Sequence, residues 1–168
     1  VGLGVSPGLA QRIQDADLIL ALGVRLGEAT TSGYTLLAAP RPAQTLVHIH
    51  AGPEELGRVY AADLLLQASM AQAGKALETL AAPPAVPWAD WTAAAHADYE
   101  ANHDAPTVEP LDLAEVVKTL DRHVGPDAFW TNGAGNYSGW LHRYHRYTGL
   151  AQAGRRTQLA PTSGAMGY

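Results

Sequence analysis

The 168-residue sequence contains no cysteine, so disulfides and cysteine-based zinc sites are ruled out. It carries little charge: 16% of residues are charged and the net charge is −5. No long run of either sign appears. A nucleic-acid binder needs a basic face to neutralise phosphates, and nothing here supplies one. Long apolar runs are absent too. The strongest, Leu18 to Leu22 with its neighbours, is far shorter than a membrane span. No basic segment opens the chain ahead of an apolar stretch, so no secretory signal is visible and the cytoplasm is the default expectation. What the chain does have is apolar content. At 47% hydrophobic it can bury a core, which argues against wholesale disorder and suits one or two small domains.

Strand and helix signals alternate. Ser6-Pro7 is a helix start: the serine oxygen can accept a free amide, and proline loses nothing in a first turn. Asp17 to Leu22 reads as a buried strand closed by Gly23, and Thr45 to His50 as a second. Ala62 to Gln67 is a weaker third. Pro53 to Tyr60 predicts a short helix with Glu54 and Glu55 at its positive end. Ser69 to Leu80 predicts an alanine-rich helix with Leu77 and Leu80 on its apolar side. This order is that of a parallel sheet with crossover helices, an α/β fold.

Ala81 to Pro87 breaks the pattern, since three prolines in seven residues cannot continue a helix. Trp88 to Ala101 then reads as a helix, and His103 to Pro110 as a second connection. Leu113, Val116, Val117 and Leu120 follow amphipathic helical spacing, with Asp112 as the cap. Gly125-Pro126-Asp127 turns the chain into a strand over Ala128 to Thr131. A glycine-rich loop follows at Asn132 to Asn136, then a helix over Tyr137 to Tyr147 and a short strand at Thr157 to Leu159.

Three segments carry a resemblance. They are ADLILALGVRLGEATTSGYTLL (16–37), HIHAGPEELGRVYAADLLLQA (48–68), and DAFWTNGAGNYSGWLHRYHRY (127–147) with TQLAPTSGAMGY (157–168). In this order they resemble the thiamine-diphosphate enzymes, nearest the acetolactate-synthase large-subunit branch. The resemblance implies a partial Rossmann-like central domain over 1–82, a linker with a helix over 83–110, and the start of the pyrophosphate-binding α/β domain over 111–168. It also implies an internal piece of a longer enzyme. The chain begins at Val1 rather than Met and stops at Tyr168 just after a glycine-rich turn; a trimmed chain with a disordered tail is the duller alternative. The family's catalytic Glu and its Gly-Asp-Gly…Asn signature, which holds Mg²⁺, have no counterpart here. No catalytic residue and no metal ligand is therefore assigned within this chain.

Gly135, Asn136 and Tyr137 are the first candidate site. Glycine lets backbone amides approach an anion, and the following helix adds a positive end. By resemblance they lie against the diphosphate; the plain alternative is an ordinary strand-to-helix turn. Gly164 and Met166 are the second: by resemblance this turn packs under the aminopyrimidine, though an isolated Gly-x-Met-Gly is usually only a loop. Arg25 is the third, just after a strand's carboxyl end, where open parallel sheets bind ligands. By resemblance it faces a nucleotide such as FAD; the alternative is an ion pair with Glu28. His50 stands where many relatives have Asp, which counts against FAD. His48 with His50, and His142 with His145, lack a carboxylate at zinc-helix spacing, so a metal reading is weak. Trp88, Trp91 and Trp140 read as core or interface anchors.

The resemblance implies an enzyme using thiamine diphosphate and Mg²⁺ on a 2-oxo acid such as pyruvate. It would be a transferase or lyase, working as a homodimer or homotetramer. The segment alone is expected to be inactive. The rival reading is a nonenzymatic or regulatory α/β module that binds FAD or NAD.

Overall fold

The computed structural model describes residues 5–104, 110–148, 150 and 154–160. The chain forms two compact units, Val1–Asp98 and Tyr99–Tyr168.

The first unit opens with α1 (Pro7–Gln14), where Ser6 Oγ accepts the Leu9 amide at 3.3 Å and Pro7 occupies the first turn. Its far end is held by Gln44, whose side-chain amide donates to the Gln14 carbonyl at 2.6 Å. Strands β1 (Leu18–Leu22), β2 (Thr45–His50) and β3 (Leu64–Gln67) form one sheet in that order. Both pairings are parallel, with Ile19 opposite Leu46 and His48 opposite Leu65. The β2–β3 pairing begins at a backbone clamp: Asp63 takes the Leu46 amide on its carboxylate and gives its own amide to the Leu46 carbonyl, both at 2.9 Å. Then α2 (Met70–Leu77) starts on a full capping box, with Ser69 and Gln72 each satisfying the other's amide.

Paired residues of parallel strands share a face, so the sheet has two distinct sides. On one side Ala21 and Leu46 pack with Leu37 and Tyr60, joined by Ile13 and Ile19. On the other, Leu18, Leu20, Leu22, Leu64 and Leu66 stay exposed. The expected buried strand at β1 is thus buried on one face only, since Leu18, Leu20 and Leu22 stay exposed. Two further expectations are corrected. The helix expected over Pro53 to Tyr60 is a single 3-10 turn, Pro53–Glu55, since Leu56 is already extended and Gly57 is left-handed. Leu77 and Leu80 are exposed, and Ala73 is the buried residue of α2.

α3 (Ala89–His103) crosses the division between the units. Trp88 and Trp91 are exposed rather than core, because the helix buries no residue except His103. In the second unit, Asp112 caps α4 (Leu113–Val124) by accepting the Ala114 and Glu115 amides. β4 (Trp130–Thr131) pairs in parallel with β5 (Gln158–Leu159), and α5 (Ser138–Tyr144) lies between them in sequence. The core joins Ala114 and Val117 to Leu141 and Tyr144, with Trp130 and Trp140 partly buried against them. The buried face of α4 is therefore rotated from the expected stripe: Val116 and Leu120 are exposed. Small Ala114 lets α5 approach, and a polar bond one turn beyond Val117 fixes the contact. His145 Nδ1 lies 2.6 Å from Asp121 Oδ1. That bond also explains why α5 ends at Tyr144 instead of running to Tyr147, since His145 is extended.

Gly23 follows β1 with φ +64°, and a Cβ there would overlap the Met70 side chain. Gly23→Val is expected to lower stability by about 1–2 kcal/mol from backbone strain alone. Urea unfolding measures this, and an unchanged midpoint would contradict the left-handed assignment.

Candidate functional site

The carboxyl ends of β1 and β2 open on a pocket of ≈ 350 Å³. Arg25, Tyr34, His48, Glu55, Arg58 and Tyr60 are among its walls. The first turn after β1 places Arg25, whose Nε lies 3.0 Å from Glu55 Oε1. Arg58 reaches the same oxygen at 3.2 Å. The ion pair is thus with Glu55 rather than the expected Glu28, because the turn after β2 brings Glu55 across from the end of β1. One carboxylate serves two guanidiniums, and Glu28 on the same wall balances the second charge. The Tyr60 hydroxyl is buried on the pocket wall with no hydrogen-bond partner among the described residues.

The two histidines of β2 are committed to backbone. His48 is buried and its Nε2–H donates to the Val24 carbonyl at 3.0 Å. His50 Nδ1 accepts the Gly52 amide at 3.0 Å, which puts the ring proton on Nε2. His50 thereby closes the turn after β2 as an Asp side chain can. Among the described residues no group of three or more His, Cys, Asp or Glu could hold a metal ion.

In the second unit, β4 leads into the Asn132–Tyr137 loop and then into α5. Asn132 Nδ2 donates to the Gly133 carbonyl at 2.9 Å, and Gly133 is buried. Ser138 ties off the far side, its amide and hydroxyl both donating to the Gly135 carbonyl, at 2.9 and 2.7 Å. No side chain caps α5. Among the described residues, no acceptor takes the Asn136 or Tyr137 amide. A Cβ at Gly135 would overlap the Tyr137 ring as it lies, a contact that the ring must turn to relieve. Tyr137 is exposed and its ring is free to turn outward. Among the described residues, the loop thus leaves the Asn136 and Tyr137 amides without an acceptor next to an exposed Tyr137. Gly164 and Met166 lie outside the described residues. Arg25 belongs to the first unit and Gly135, Asn136 and Tyr137 to the second.

Residues 1–80 match the family model described as thiamine pyrophosphate enzyme, central domain. Over those residues the chain resembles a thiamine pyrophosphate enzyme. It is similar to the acetolactate synthase large subunit of Corynebacterium glutamicum, at 25% identity over 138 residues. That alignment covers 79% of this chain and 22% of the relative, so the chain spans about a fifth of that protein's length. The parallel α/β sheet of the first unit agrees with a central domain of this type. No helix among the described residues is long and apolar enough to cross a membrane.

The sequence reading missed one arrangement, the Asp121–His145 pair. The two residues are 24 positions apart, and neither stands in a motif. The only signal available was Asp121 continuing the Ala114–Val117 face by one helical turn.

Glu55→Gln removes the carboxylate shared by Arg25 and Arg58. Affinity of this pocket for ADP is expected to rise by about two- to fivefold, the range an exposed ion pair is worth. Calorimetry measures it, and no gain would mean that Glu55 does not restrain the two arginines.

Proposed function

We propose that the full-length protein is a thiamine-diphosphate-dependent 2-oxo acid decarboxylase and carboligase of the acetolactate-synthase type. The observation that carries this reading is the Gly133–Tyr137 loop: a glycine-rich turn between a parallel strand and an uncapped helix, with backbone amides left for an anion. Gly135, Asn136 and Tyr137 would hold the diphosphate, and Gly164 and Met166 the aminopyrimidine. Mg²⁺ would take its ligands from outside this chain, since the loop itself offers neutral donors only. Thiamine diphosphate supplies the carbanion chemistry when bound. The protein's part is to orient it, exclude water and hold the diphosphate against the amides of the loop.

The domain assignment follows the same line. Residues 1–82 would be part of a central domain, 83–110 a linker and 111–168 the opening of the pyrophosphate-binding domain. Parallel sheets are normally covered on both faces. The bare leucines of β1 and β3 support an assignment in which further chain covers them. A homodimer or homotetramer in the cytoplasm, acting on pyruvate or a related 2-oxo acid, belongs to the same proposal. The segment alone would be inactive, lacking an acid to activate the aminopyrimidine and lacking metal ligands.

A second reading has its own support in the Arg25 pocket, which sits where a nucleotide binds in open parallel sheets. A nonenzymatic module binding FAD or NAD would use that pocket and leave the Gly133–Tyr137 loop without a task. A yellow flavin spectrum with no dependence on thiamine diphosphate would favour it.

The full-length protein is expected to release CO₂ from pyruvate or a close analogue only when thiamine diphosphate and Mg²⁺ are both supplied. Gly135→Val should raise the thiamine diphosphate concentration giving half-maximal rate at least tenfold. An unaltered half-maximal concentration in that variant would remove the loop from the proposal.

A further inference from the structure

The second unit holds another pocket, of ≈ 270 Å³, away from the glycine-rich loop in sequence and built on a different set of side chains. Asp121, Arg122, Trp130, His145, Arg146 and Thr157 are among its walls. Its centre is His145, whose side chain is 91% buried. Nδ1 faces Asp121 Oδ1 at 2.6 Å, so the carboxylate holds a proton on that nitrogen. The other carboxylate oxygen accepts the Arg146 amide at 3.3 Å, which fixes the aspartate in turn. The imidazole leans on the Trp130 ring, with centroids 4.8 Å apart and planes 35° from parallel. Trp130 is itself anchored by its amide, which donates to the Thr157 carbonyl at 2.8 Å.

With one nitrogen fixed in this way, the opposite one is conspicuous. His145 Nε2 is buried and has no hydrogen-bond partner among the described residues. A buried polar atom left unmade costs about 1–3 kcal/mol, so the site is incomplete as it stands. The surrounding charge sets the sign of a ligand beside it. Arg146 is committed to Glu100, with contacts at 3.2 and 2.5 Å, and that hydrogen bonding holds its guanidinium pKa above the usual value. Arg122 has no carboxylate partner among the described residues; its guanidinium donates only to the Thr119 hydroxyl, at 2.8 Å. One uncompensated guanidinium repels an ammonium and attracts an oxyanion.

We propose that this pocket is a binding site for a small oxyanion, a carboxylate or a phosphate, which is charge-paired by Arg122 beside His145 Nε2. Asp121 is a positioning residue: it orients the imidazole and keeps its outer nitrogen aimed away from α4. The proposal does not rest on the thiamine diphosphate reading, since no residue is shared with the Gly133–Tyr137 loop.

Equilibrium dialysis of the full-length protein against radiolabelled inorganic phosphate, and separately against acetate, tests it. Ionic strength is held constant with chloride and no thiamine diphosphate is added. Saturable binding of either anion is expected, and the anion that saturates at the lower concentration identifies the oxyanion class. Arg122→Gln lies on an exposed position and should fold normally; it is expected to weaken binding about tenfold, as is His145→Gln. Absence of saturable binding for both anions would overturn the proposal. So would saturable binding that is unchanged in both variants, because the anion would then sit elsewhere, including on the glycine-rich loop.

Discussion

Two parallel strands cannot be closed by a hairpin, so the chain must return along the sheet before it pairs again, and the turns that leave the strands gather at one end. In the first unit, β2 is paired on both sides under this constraint, and Asp63 locks the second pairing at the Leu46 amide. The turn after β1 therefore presents Arg25, and the turn after β2 presents Glu55, on the same rim. In the second unit, β4 leads straight into the glycine-rich loop for the same reason. Each candidate site follows from strand direction before any side chain is considered.

Local chemistry was the most legible part of the sequence. Ser6 and Asp112 cap their helices as read, because capping depends on residues within one turn. The three strands of the first sheet were also readable from short apolar runs. The faces were not. Leu77, Val116, Leu120, Trp88 and Trp91 have the character of core residues and are exposed. Periodicity reports that a helix has an apolar side, but the covering partner is a tertiary fact. The Arg25 partner failed for a related reason: Glu28 is close in sequence, and Glu55 is close in space.

The candidate sites divide the same way. Gly135, Asn136 and Tyr137 were legible because a glycine-rich turn between strand and helix is a local pattern. The fold adds that Ser138 pins the Gly135 carbonyl while the Asn136 and Tyr137 amides stay open. It also places the Tyr137 ring where a Cβ at Gly135 would overlap it, a contact that the ring must turn to relieve. The Asp121–His145 pair was not legible, since it joins a helix to the residue after another helix across 24 positions. Its consequence is large for its size: it ends α5, orients a buried imidazole and leaves one nitrogen without a partner among the described residues.

Residues 1–80 match a thiamine pyrophosphate enzyme central domain, and the proposed cofactor site lies in the second unit. The most direct test is calorimetric titration of the full-length protein with thiamine diphosphate in the presence of Mg²⁺. Saturable binding that is lost when Mg²⁺ is chelated is the predicted result. No heat of binding at any cofactor concentration, with the protein folded, would contradict the account.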